Sequence, residues 1–77
     1  MNKEVVLTSL RRYLKYLEFV QEDLVGMRNR AWYLCDKEYP DETAIAFKGL
    51  KALNNQIRSN KRKLKNVRES IRAIKKL

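Results

Sequence analysis

The sequence predicts an all-α protein in which two long antiparallel helices form a coiled-coil hairpin, a single domain over residues 1–77, and two such hairpins can pair into a four-helix bundle. Three observations predict it. Apolar residues recur at alternating three- and four-residue steps before residue 38 and again after residue 41. One proline and two glycines leave almost no material for turns. The combination of 44% hydrophobic and 35% charged residues is that of long amphipathic helices rather than of a layered core.

The first helix is expected over about residues 3–38. Its seam reads Val6, Leu10, Tyr13, Leu17, Val20, Leu24, Met27, Ala31 and Leu34, nine consecutive heptad positions without a polar residue. Leu7 and Leu14 flank that seam. They either widen the hairpin core or join Tyr16, Phe19, Val25, Trp32 and Tyr33 in a face for a partner. Gly26 lies outside the seam and costs about 1 kcal/mol relative to alanine. A break there, giving three helices, is the structural alternative.

Residues 39–41 form the turn. Proline disfavours helical geometry at Tyr39, whereas Pro40, Asp41 and Glu42 suit the first turn of a new helix through a fixed φ and favourable charge. The second helix is expected over about residues 41–76, with the seam Ala46, Leu50, Leu53, Ile57, Asn60, Leu64, Val67, Ile71 and Ile74. Folding the seams about the turn pairs Leu34 with Ala46, Ala31 with Leu50, Met27 with Leu53, Leu24 with Ile57, Leu17 with Leu64, Tyr13 with Val67, Leu10 with Ile71 and Val6 with Ile74. Asn60 then lands near Val20 and Gln21, whose amide can satisfy it, and acts as a register-setting polar layer. At the turn end Trp32 falls opposite Gly49, where the missing side chain leaves room for an indole among Tyr33, Tyr39, Ile45 and Phe47.

Charge is distributed along the hairpin as unevenly as hydrophobicity is around it. The chain carries 18 Lys/Arg against 9 Asp/Glu, a net +9. Residues 1–20 and 58–77, the free end, hold thirteen Lys/Arg and three Asp/Glu, a net +10; residues 21–57 hold five against six, a net −1. Arg58, Lys61, Lys65, Arg68, Arg72 and Lys75 recur beside the second seam, and Arg62, Arg11, Arg12 and Lys15 enlarge the same end. The helix dipole accounts for cations in the last turn alone. With the first seam as given, the flank facing this stripe is Leu7, Leu14 and Gln21, which offers no acid to neutralise it. These ten residues are therefore the expected contacts to nucleic acid phosphates, DNA or RNA, or to an acidic protein; a purely solubilising face is the bland alternative. Trp32, Tyr33, Tyr16 and Phe19 are the expected contacts to a protein partner or to a second copy in a homodimer. A membrane surface ranks below both, because the apolar face is committed to the seam.

Several chemistries have no residues to carry them. With no histidine, one cysteine and no glycine-rich phosphate loop, neither a catalytic constellation, a metal centre nor a cofactor site is expected, and the chain reads as no enzyme. Asp36, Glu38, Asp41 and Glu42 read as helix-end and surface charge. Cys35 alone cannot form an internal disulfide, which points to a reducing, cytoplasmic setting. No apolar run is long enough for a signal peptide or a transmembrane segment.

Overall fold

In the computed structural model the chain is a helical hairpin built from α1 (Lys3–Cys35) and α2 (Pro40–Lys75). The structure describes the backbone of residues 2–35 and 40–77 and the side chains of residues 2–32 and 48–77. The expected turn at 39–41 is corrected in part, because Pro40 and Asp41 already belong to the first turn of α2; Tyr39, the Leu34–Ala46 layer and the side chains of Tyr33, Ile45 and Phe47 lie outside the described residues. So do those of Asp36, Glu38, Asp41 and Glu42. The helices run side by side in a body whose Cα atoms span 57 × 14 × 14 Å. No helix among the described residues is long and apolar enough to cross a membrane.

The free end of the hairpin is fastened by side chains. The Asn2 Oδ1 accepts a 3.0 Å bond from the Glu4 amide and caps α1, satisfying one of the amides that have no partner in a first turn. At the same end the Lys3 ammonium donates to the Lys75 carbonyl at 3.2 Å, which ties the start of α1 to the last turn of α2. Gly26 does not break α1. The helix runs through it with negative φ, so the three-helix alternative is excluded.

The seam of α2 is the one its periodicity predicts. Leu50, Ile57, Asn60, Leu64, Val67 and Ile71 are buried, with Leu53 and Ile74 half-buried. The seam of α1 corrects the sequence reading. Leu7, 2% exposed, and Leu14 face α2, while Tyr13 is 44% exposed and Met27 is also exposed. Val6 and Val20 are half-buried at the edge. The observed series is Leu7, Leu10, Leu14, Leu17, Gln21, Leu24, Arg28 and Ala31, which shares Leu10, Leu17, Leu24 and Ala31 with the expected one.

Two heptad frames were thus available on the same helix, and the nine-residue apolar run is not the one that packs. Two causes favour the observed frame. Leu7 and Leu14 place branched aliphatic side chains in the seam and leave the Tyr13 hydroxyl in water, and Gln21 comes to face Asn60. Leu7, Leu17, Leu64, Val67 and Ile71 form the packed cluster, joined by Leu10, Leu14 and Ile74, so the best core lies at the free end. Burial of each such side chain contributes about 1.5–3 kcal/mol. Towards the turn the seam is more polar. Arg28 occupies one of its layers, and its Nε is buried with no hydrogen-bond partner among the described residues.

Candidate nucleic-acid interface

Rotating α1 by one position changes what lies on each side of the hairpin. One residue on from a seam position is about 100° round a helix. In an antiparallel pair, the residues that follow the seam on both helices lie on the same side. On α1 these are Thr8, Arg11, Lys15, Glu18, Glu22, Val25, Asn29 and Trp32; on α2 they are Lys51, Asn54, Arg58, Lys61, Lys65, Arg68, Arg72 and Lys75. The ion pair between Arg68 and Glu18, 3.8 Å apart, joins the two rows and fixes this side as one surface.

All nine basic side chains of that surface are exposed. Steps of three and four residues keep neighbours on α2 about 5–6 Å apart, so the row is a ladder of cations rather than a cluster. The expectation that the stripe meets no acid is corrected here. It followed from placing Leu7, Leu14 and Gln21 on this flank, whereas the true flank carries Glu18 and Glu22. The correction is small in charge. Arg68–Glu18 is the one ion pair among the described residues, and both side chains are about half exposed. Such a pair contributes roughly 0–1 kcal/mol and leaves most of the row without a partner. Arg12 and Arg62, two residues on from seam positions, lie on the outward backs of the helices instead.

No protein-family model matches the chain, and neither curated proteins nor solved structures give a match. The physical chemistry of the surface therefore stands alone.

The aromatic residues expected to share one partner face are divided among three. Trp32, 52% exposed, follows the seam residue Ala31 and so lies on the basic flank, beside Leu50, Lys51, Asn54, Asn55 and Arg58. It does not sit on Gly49; a Cβ built there would meet nothing within 4 Å, so the indole notch is corrected. Phe19, 68% exposed, lies on the back of α1 among Glu22, Asp23, Gly26 and Arg30. Tyr16 lies on the side opposite the cations, its ring stacked on Tyr13 with centroids 6.5 Å apart.

That opposite side was not foreseen in the sequence. It carries the residues that precede the seam: Val6, Ser9, Tyr13, Tyr16, Val20, Asp23, Met27 and Arg30 on α1, and Gly49, Ala52, Gln56, Ser59, Lys63, Asn66, Ser70 and Ala73 on α2. Val20, Gln56, Ser59 and Lys63 line one groove there, which places both rows on one surface. The signal is present as a second heptad row, hidden because Val6, Tyr13, Val20 and Met27 read as seam positions; Tyr16 alone of its α1 members reads as a partner contact.

Proposed function

We propose that this chain is a small non-catalytic regulatory or accessory protein of the cytoplasm that binds nucleic acid phosphates through the basic flank and self-associates through the flank opposite. The observation that carries the first part is the row Arg58, Lys61, Lys65, Arg68, Arg72 and Lys75, with Arg11 and Lys15 beside it, all exposed and with one weak acid pairing. Contacts of this kind fix position and orientation and are indifferent to sequence. Each phosphate neutralised should make log affinity fall with log salt by about 0.7–0.9, the lower value for single strands. A titration of purified, nuclease-treated protein with labelled oligonucleotide over a salt series tests it; a slope near zero sinks the reading.

An acidic protein on the same flank is the second reading, favoured by the half-exposed Trp32 beside Arg58. An acidic polypeptide run in the same titration separates the two. If it binds more tightly than any oligonucleotide, the protein partner is the better reading.

For self-association the occupant is a second copy of the chain. In a protein of net +9, the face for another copy must carry little charge. The flank opposite the cations has Lys63, Asp23 and Arg30 as its charged members. Its shape is a ridge of tyrosines and valine on α1 beside a trough of serine and alanine on α2, so each ridge can enter the other copy's trough. The described rows of that flank, residues 6–30 and 49–73, run about 36 Å at 1.5 Å per residue in a body 14 Å wide, about 500 Å² per partner, at the low end of specific interfaces. Sedimentation should give a dimer that Tyr16→Glu converts to a folded monomer. A monomeric wild type removes this half of the reading without touching the other.

A further inference from the structure

Trp32 does more than mark the end of the basic row. Its indole forms one wall of an open groove of about 480 Å³ whose other walls are Lys51, Asn54, Asn55 and Arg58, with the buried Leu50 contributing apolar surface. The groove is within the size range of small-molecule sites. It combines a flat aromatic surface, two side-chain amides and two cations, and Arg58 is also the first cation of the row that continues towards Lys75.

We infer that this groove holds an unpaired nucleobase, which makes single-stranded nucleic acid the ligand of the basic flank. The inference rests on the phosphate-binding reading and names its substrate class. A base stacks on the exposed indole face, as bases do on aromatic platforms in single-strand binders. Amides of Asn54 and Asn55 each offer a carbonyl acceptor and two N–H donors, the groups that base edges require. Lys51 and Arg58 flank the base where its own and the adjoining phosphates emerge. A paired base cannot take this place, because its faces are covered by its neighbours and its Watson–Crick edge is used.

Trp32 is the single tryptophan of the chain, so its fluorescence reports on this groove directly. The test titrates the intact protein with a single-stranded oligonucleotide, the matching duplex and an abasic single strand. Tryptophan quenching is followed together with the anisotropy of a label on the nucleic acid. The expected result is strong quenching by the single strand, and binding with little quenching by the duplex and the abasic strand. Trp32→Ala should weaken single-strand binding on the order of tenfold while leaving duplex binding unchanged. Binding by anisotropy without quenching overturns the inference and leaves the phosphate reading standing. Absence of a signal in both channels removes both readings. Equal quenching by an acidic polypeptide shows that the groove takes a protein side chain, and overturns it as well. The abasic comparison uses the unaltered protein, so a folding defect in the variant cannot obscure the outcome.

Discussion

Asn60 spends both hydrogens of its amide nitrogen on α1, donating to the Leu17 carbonyl at 3.0 Å and to Gln21 Oε1 at 2.9 Å. The residue is 6% exposed, so neither bond can be exchanged for one to bulk water without opening the seam. The Leu17 carbonyl belongs to a helical residue and accepts through its second lone pair. This layer penalises any slip of the helices, since a shift by one seam position would bury the Asn60 amide against leucine. Asn60→Ala should lower stability by about 1–3 kcal/mol in denaturant unfolding. A double-mutant cycle with Gln21→Ala should show a coupling of at least about 0.5 kcal/mol. Additive effects would mean that the two amides do not interact in solution.

The α1 frame is open to an equally direct check. Leu14 lies in the seam and Tyr13 beside it, the reverse of what the longest apolar series implies. Leu14→Ala should cost about 2–4 kcal/mol, whereas Tyr13→Ala should cost the isolated hairpin under about 1 kcal/mol. Equal losses would contradict the observed rotation of α1. The element types, the helix pairing and the Asn60–Gln21 layer were legible from spacing alone, because a heptad row and a single proline admit few alternatives. The choice between adjacent rows was not. Periodicity weighs every apolar residue alike, while packing distinguishes Leu14 from a tyrosine that keeps its hydroxyl wet, and a polar row is acceptable where Gln21 meets Asn60.

Gly26 lies within α1 with nothing within 4 Å of the place a Cβ would occupy. Its φ is negative, as alanine requires. Gly26→Ala should therefore raise stability by about 0.4–1 kcal/mol, through a smaller loss of backbone freedom on folding. Thermal unfolding by circular dichroism measures it. A fall in melting temperature would show that α1 bends at this residue in solution.

Glu18 partly neutralises the basic flank through Arg68. Because the pair is half exposed and 3.8 Å apart, Glu18→Gln should change stability by less than about 1 kcal/mol. It should, however, strengthen oligonucleotide binding at low salt, since a phosphate no longer competes with the carboxylate for Arg68. Unchanged affinity would place Arg68 outside the contact surface. This pairing was illegible in the sequence for the same reason as the seam: the wrong frame turned Glu18 away from Arg68.

Lys63 and Lys65 offer the most discriminating comparison, because they sit two residues apart on α2 and yet on opposite flanks. Lys63 lines a groove with Val20, Gln56 and Ser59, whereas Lys65 follows the seam residue Leu64 and belongs to the basic row. Lys63→Gln and Lys65→Gln lower the net charge of the chain equally, so any long-range attraction falls by the same amount in both. A ligand seated on the basic row should lose about 0.7–0.9 from its salt slope with Lys65→Gln and almost nothing with Lys63→Gln. Equal losses would show that the nucleic acid responds to the total charge of the free end rather than to the ladder of cations along one side. In that case the arrangement of Arg58, Lys61, Lys65, Arg68, Arg72 and Lys75 would be a by-product of keeping charge out of the seam and off the opposite flank, because residues that follow a helix seam are free to take charge whether or not anything binds them.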